Sequence, residues 1–269
     1  MTMPTPLAAG LIPISLDELL ATAELQTRVD RKYIVPREMY SWLLEELAPD
    51  TRVLEIDGRR SFRYESVYFD TPDLIAYRGT VFGRRRRFKV RTRTYLDAGD
   101  CLLEIKTRNG RGKTVKDRHP YAIDDRQRLI PAAYDLIHKL VPPNTPVDRL
   151  RPSLITSYER TTLLDPSGAR VTCDIGLVCA TPDGARTQAI GDAIILETKS
   201  PGHAGHTDKM LWRAGIRPTR ISKYGTGLAL LYPDLPANRW NRTLGTHLGW
   251  EPQRQQGQSG AERGGPLSN

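Results

Sequence analysis

Between residues 84 and 93 the chain carries seven basic side chains and no acid. Side chains of a β-strand alternate between its faces. Read as a strand, this stretch sets Arg85, Arg87, Lys89, Arg91 and Arg93 on one side, with Phe88, Val90, Thr92, Thr94 and Leu96 on the other. A merely solvated strand face mixes signs, because like charges along and across strands repel one another. A row of one sign calls for an anion to neutralise it. A planar guanidinium suits phosphate because it can grip two of its oxygens at once, but charge alone does not choose among nucleic acid, an acidic membrane and phosphorylated substrates.

Carboxylates fall in phase with cations elsewhere. Leu102, Glu104, Lys106 and Arg108 share a face opposite Cys101, Leu103, Ile105 and Thr107. Arg170, Thr172 and Asp174 alternate with Val171, Cys173 and Ile175, and Glu197 is in phase with Lys199. Glu104, Asp174 and Glu197 are therefore candidates to hold a hard divalent cation, Mn²⁺ or Mg²⁺, that bridges phosphate oxygens. The plainer alternatives are that each carboxylate pairs with a neighbouring arginine, and that the charged face only meets water.

Positioning these residues requires a set of strands. The sequence predicts eight: residues 28–35, 62–69, 84–96, 101–108, 112–122, 153–164, 169–180 and one ending near Lys199. Tight-turn signals (Asn109-Gly110, Asp165-Pro166-Ser167-Gly168, Pro182-Asp183-Gly184) make most neighbours antiparallel. Eight strands suffice to close a barrel around side chains or one ligand. The expected fold is thus α+β, a closed eight-stranded antiparallel β-barrel with flanking helices. Helices are expected from Pro36 to about Ala48, over Asp125 to Leu140 ahead of Pro142-Pro143, and near 206–214 and 222–231. Residues 1–27 read as a peripheral segment whose Ser15-x-x-Glu18 capping box opens a helix with Leu16, Leu19, Leu20 and Leu25 on one stripe. Residues 28–235 read as the main domain. The Gln-, Gly-, Arg- and Ser-rich stretch 236–269 reads as a disordered basic tail.

Composition narrows the field. The 269 residues hold 40 Lys and Arg against 31 Asp and Glu, a net charge of +9, which favours an anionic partner. No apolar run reaches the length of a membrane span, and no signal-peptide pattern opens the chain, so a cytoplasmic location is expected. Cys101, Cys173 and Cys179 lie among strand-like apolar residues and read as buried, reduced thiols. Gly110-Arg111-Gly112-Lys113-Thr114 is not a P-loop: Thr107 stands where its first glycine belongs and no helix follows. His203 and His206 lack a third zinc ligand nearby. Tyr64, Tyr68, Phe69 and Tyr77 read as core packing. Without exposed aromatics between the cations, a nucleic-acid partner is not expected.

Laid out in this order, the chain resembles the polyphosphate polymerase domain of the vacuolar transporter chaperone family, within the triphosphate tunnel metalloenzymes. The similarity runs from about Arg28 to Tyr232. It rests on Asp30-Arg31-Lys32-Tyr33, Ser66-Val67-Tyr68-Phe69-Asp70-Thr71, Lys89-Val90-Arg91-Thr92-Arg93, Leu103-Glu104-Ile105-Lys106 and Lys113-Thr114-Val115-Lys116. Further along, it rests on Tyr158-Glu159-Arg160-Thr161, Arg170-Val171-Thr172-Cys173-Asp174, Leu196-Glu197-Thr198-Lys199 and Ser222-Lys223-Tyr224.

The resemblance implies transfer of the terminal phosphate of ATP onto a growing polyphosphate chain, with manganese favoured. It implies that Lys32, Arg91, Arg93, Lys106, Arg160 and Lys223 act on the reacting phosphates. Arg87, Lys89, Lys116, Arg170 and Lys199 would hold the rest of the substrate, Glu197 would bind the metal, and Glu104 would assist it. Hydrolytic relatives carry a Glu-x-Glu-x-Lys pattern where this chain has Arg28, Asp30 and Lys32, which points away from the hydrolases. Neither a phosphate-sensing domain nor membrane segments accompany the resemblance, leaving room for a separate membrane partner. The competing functions are a triphosphate or tripolyphosphate hydrolase of the same fold and a noncatalytic polyanion-binding module.

Overall fold

The computed structural model describes residues 10–23, 29–47 and 49–250. Period-two patterning dominates it. The eight expected strands are all present: β2 (Val29–Val35), β4 (Phe62–Asp70), β5 (Arg87–Tyr95), β6 (Asp100–Arg108), β7 (Thr114–Tyr121), β8 (Arg151–Leu164), β9 (Arg170–Ala180) and β11 (Ile194–Ser200). Three short strands that the sequence pattern does not announce join them: β1 (Ile12–Ile14), β3 (Arg52–Leu54) and β10 (Thr187–Ala189).

One sheet contains all eleven, with the main path β2-β11-β9-β8-β4-β5-β6-β7. Every pairing is antiparallel except that of β1 with β3. The expectation of a closed barrel is overturned here. The path ends at β2 on one side and β7 on the other, and no ladder among the described residues joins them. The sheet is open and curled. Strand count permits closure but does not make the last set of hydrogen bonds. The free edge of β2 is instead met by the segment before α6 (Lys223–Leu231), where the Thr219 N–H donates to the Lys32 carbonyl at 2.7 Å.

Alternation sorts the side chains into layers. Outside β2, β9 and β11, Tyr33, Val35, Val171, Cys173 and Leu196 pack against α2 (Glu38–Glu45) and α5 (His206–Arg213). Outside β4, β5 and β6, Val67, Phe69, Phe88, Val90, Leu103 and Ile105 pack against α4 (Pro131–Leu140). One part of the inner face is apolar too: Ile34, Tyr68, Leu154, Leu177, Cys179 and Ile195 pack with α6 and α3 (Ile75–Val81). The remainder of the inner face is charged. All three cysteines are buried and unpaired.

At the N-terminus, α1 (Leu16–Ala23) opens on the expected capping box, the Glu18 N–H donating to Ser15 Oγ and the Ser15 N–H to Glu18 Oε2, each at 3.3 Å. Leu19 is buried with Ile14, Leu54 and Leu164, whereas Leu16 and Leu20 are exposed. Leu25 and Arg28 lie outside the described residues, as do 251–269 of the expected tail.

The tail boundary at 235 needs correction. Residues 236–250 contain α7 (Asn241–Leu248), and Trp240, Leu244 and Trp250 are buried in the same cluster as α6. Trp240 presses so closely on α6 that a Cβ on Gly225 would lie 2.2 Å from its ring, so only glycine fits there. No helix among the described residues is long and apolar enough to cross a membrane.

Candidate functional site

Register determines which charges meet. Arg91 lies opposite Glu104, Lys89 opposite Lys106 and Arg87 opposite Arg108 across β5 and β6. Lys106 lies opposite Lys116 on β7. Arg160 lies opposite Asp174 across β8 and β9, Glu197 opposite Lys32 across β11 and β2, and Lys199 opposite Arg170 across β11 and β9. Every cation foreseen as a site residue thus stands on the inner face or, for Lys223, at the start of α6, which reaches across it.

Three carboxylates organise these cations. Glu104, 2% exposed, accepts from Arg91 Nε at 2.7 Å and Lys116 Nζ at 2.5 Å, with Arg118 Nε at 3.4 Å and Arg93 Nε at 3.9 Å. Asp174, 1% exposed, accepts a bidentate pair from Arg160, Nε to Oδ1 at 2.6 Å and Nη2 to Oδ2 at 2.8 Å, and a further bond from Lys223. Glu197 is held more loosely, 3.1 Å from Lys199 Nζ and 3.6 Å from Lys32 Nζ. Burial pushes each carboxyl upward, but the neighbouring cations outweigh it and hold all three well below the usual range: Arg91, Arg93 and Lys116 for Glu104, Arg160 and Lys223 for Asp174, Lys32 and Lys199 for Glu197.

Tyrosines line the wall beneath the cations. Lys223 Nζ stands 4.5 Å from the centre of the Tyr158 ring, Arg160 lies 5.2 Å from that of Tyr64, Arg91 5.6 Å from Tyr68, and Arg93 5.7 Å from Tyr64. Tyr68 lies in the core and Tyr64 packs against it, as expected, and both rings also lie against the arginines of the inner face. The signal for that second contact was available: both are in phase with Arg93 and Arg91 across β4 and β5. Sequence reasoning missed Arg118 and Ser222, whose Oγ accepts from Lys89 Nζ at 2.9 Å.

Several buried polar atoms on this face have no hydrogen-bond partner: Arg93 Nε, which keeps only its 3.9 Å ion pair with Glu104, Tyr158 Oη, Thr172 Oγ1, Ser66 Oγ and Thr156 Oγ1. Buried polar groups are almost always paired, so such a cluster marks a surface shaped for a ligand. A cavity of about 540 Å³ lies at the end of the inner face that carries Lys32, Lys89 and Lys106, lined also by Asp30, Arg87, Arg220 and Ser222, and the unpartnered atoms are not part of its wall. That is the size of a small-molecule site.

Burial and crowding lower three of the lysines to between about 7 and 8; burial takes Lys116 down to about 7 against the pull of Glu104. Burial, then repulsion from Lys32, Lys106 and Arg91, pushes Lys89 down to about 7. Burial likewise lowers Lys199 to about 8, against the pull of Glu197. A polyanion favours the protonated forms, so its binding must draw protons from solution between about pH 7 and 9, and affinity must fall as pH rises through that window. Calorimetric titration with tripolyphosphate in two buffers of different ionisation heat measures this uptake. In Lys89→Arg, where the cation cannot lose its proton, the uptake should fall by the share Lys89 contributes beside Lys116 and Lys199; unchanged uptake would dismiss Lys89 as one of its sources.

The metal expectation can be tested against the donors. Among the described residues no group of three or more His, Cys, Asp or Glu side chains could hold an ion. Both Glu104 oxygens are taken up by cations, and Asp174 is clamped by Arg160 and Lys223. Glu197 alone of the three keeps only loose partners. The set therefore fits a hard cation that takes one carboxylate from the protein and completes its shell with phosphate oxygens and water, and does not fit an all-protein cage.

Comparison with known proteins follows the same outline. The fold is similar to that of the putative adenylyl cyclase HpAC1 from Hippeastrum, which has a dominant triphosphatase activity, at 14% identity over 79% of this chain and 100% of that one, with a TM-score of 0.50. The PH1819 protein from Pyrococcus horikoshii OT3 is also similar, at 12% identity over 76% of this chain and 99% of that one, with a TM-score of 0.45. No curated protein matches. The VTC domain matches residues 27–232, from the strand that carries Lys32 to the end of the helix that carries Lys223, and by that match the chain belongs to the VTC domain family.

Proposed function

We propose that this protein is a polyphosphate polymerase that passes the terminal phosphate of ATP to the end of a growing polyphosphate chain, with Mn²⁺ or Mg²⁺ held at Glu197. The observation that carries the reading is the cationic inner face with its unpartnered buried polar atoms, in a chain of the VTC family. A uniform polyanion meets equivalent contacts at every repeat of such a face and can shift along it.

In the proposed step an oxygen at the end of the polyphosphate attacks the γ-phosphorus of ATP. A new P–O–P bond forms as the bond from the γ-phosphorus to the β,γ-bridging oxygen breaks, and ADP departs with that oxygen. No residue needs to form a covalent intermediate. Arg91 and Arg93, fixed by Glu104, and Arg160 and Lys223, fixed by Asp174, would bind and align the reacting phosphates while neutralising charge on their equatorial oxygens. Lys32 and Lys106 both line the cavity and would hold the acceptor chain end. Arg87, Lys89, Lys116, Arg170 and Lys199 would bind the flanking phosphates. A divalent cation at Glu197 would supply further charge neutralisation on the phosphate oxygens.

Purified protein incubated with ATP and Mn²⁺ should yield a ladder of polymer on a gel and release ADP. The second reading, a triphosphate hydrolase, draws support from the activity of the Hippeastrum protein. It predicts orthophosphate as product and no ladder. A failure to consume ATP or tripolyphosphate with any divalent metal would leave a noncatalytic polyanion-binding module.

A further inference from the structure

The densest run of positive charge lies mostly outside the site just described. β5 starts at Arg87, so Arg84, Arg85 and Arg86 precede it in a bend and are exposed. They adjoin one wall of the cavity through Arg87. Arg87, which lines that cavity, donates from Nη1 to the Arg84 carbonyl at 2.8 Å. Arg86 Nε lies 3.8 Å from where a Cβ on Gly110 would stand, so the bend rests against the tip of the β6–β7 hairpin, which adds exposed Arg111 and Lys113. On the other side Arg239 approaches Gly83, its Nη1 3.0 Å from the corresponding Cβ position, and Arg239 and exposed Arg220 also line the cavity. Among the described residues none of these seven side chains forms an ion pair with a carboxylate.

We infer that this collar, which runs from the cavity wall at Arg220 and Arg239 out to the exposed bend and hairpin tip, is a second binding surface for the polyphosphate chain, and that it makes the protein prefer long polymers to short ones. The inference rests on the polyphosphate reading and deepens it. A cavity of about 540 Å³ holds a small molecule, so any longer chain must lie partly outside it. The collar offers a dense set of cations that form no ion pair among the described residues, although Asp30 lines the cavity beside them. The arrangement favours a flexible polyanion over the other anionic partners. Of the exposed large apolar side chains among the described residues, Phe82 lies beside the bend and Val115 on the adjoining hairpin, too few for the apolar face with which a helix enters a lipid surface. A single exposed ring also gives no succession of platforms for stacking bases.

The test uses the full chain and two ligands, tripolyphosphate and long-chain inorganic polyphosphate, titrated at several salt concentrations. The native protein should bind the long chain at least tenfold more tightly. In the Arg84→Ser, Arg85→Ser, Arg86→Ser triple variant that preference should disappear while tripolyphosphate binding stays unchanged. The slope of log affinity against log salt should fall by about 2 for the long chain, roughly 0.7 for each phosphate no longer neutralised by an arginine. Arg111→Ser with Lys113→Ser, on a different element, should reproduce part of the loss, and Arg-to-Lys changes should retain most of the preference. Equal weakening of both ligands, or no change in either, would overturn the inference. So would a triple variant that lost only binding to single-stranded RNA or to anionic phosphatidylserine vesicles, included as parallel arms. If the native protein bound neither phosphate ligand, the failure would lie with the polyphosphate reading itself.

Discussion

Glu197→Ala should lower turnover at least about a hundredfold while leaving polyphosphate binding intact or tighter. The magnitude is that of removing one preorganised electrostatic contact from a transition state. The sign on binding follows from geometry: Glu197 is a negative charge between Lys32 and Lys199, so its loss frees two cations for phosphate. Arg91→Ala should behave differently, weakening both binding and turnover, because under the proposed function Arg91, steadied by Glu104 and Tyr68, would itself donate hydrogen bonds to the phosphates. Steady-state rates with ATP, set beside equilibrium binding of tripolyphosphate, separate the two. Full activity in Glu197→Ala would remove that residue from the chemistry, and a parallel loss of binding would give it a role in folding the trough.

Asp174→Ala should be the most damaging single change to stability, at about 3–5 kcal/mol, the usual cost of stranding the partners of a buried ion pair. For a chain of this size that is a fall in melting temperature of roughly 10 °C. Asp174 is 1% exposed and its two partners, Arg160 and Lys223, are each 13% exposed in their side chains, so little water can replace the carboxylate. The variant also carries a built-in check. Tripolyphosphate supplies the missing negative charge, so saturating ligand should raise the melting temperature more in the variant than in the native protein. Calorimetry with and without ligand measures both. A variant that melts with the native chain would mean that the pair adds nothing.

Much of this site could be read from periodicity. The in-phase cations at Lys89, Arg91 and Arg93 and the in-phase carboxylates at Glu104, Asp174 and Glu197 come to one face because strand geometry leaves them nowhere else. Pairing across strands is a different matter. That Arg160 meets Asp174 and Arg91 meets Glu104 depends on register, which turn types limit without naming partners between distant strands. Closure failed for a related reason. Whether β2 joins β7 is decided by curvature and by what covers the edge, here the segment around Thr219, and neither leaves a periodic trace. Trp240 and Trp250 escaped notice because the polar and glycine-rich residues around them masked two large apolar anchors, and their partner, the open side of Gly225, is a missing side chain.

The unjoined margins at β2 and β7 bear on how a guest gains entry. In a ring of continuous backbone bonds, a polymer has to present a free end and thread. Here the wall is completed on one side by a connecting segment and by side chains, so its parting requires no strand ladder to unzip. Parting the Thr219–Lys32 contact forfeits one backbone hydrogen bond, on the order of 1 kcal/mol, against the run of such bonds that would seal a ring. Under the proposed function, a long polymer would therefore be laid in sideways along its length, as a rope is dropped into a cleat.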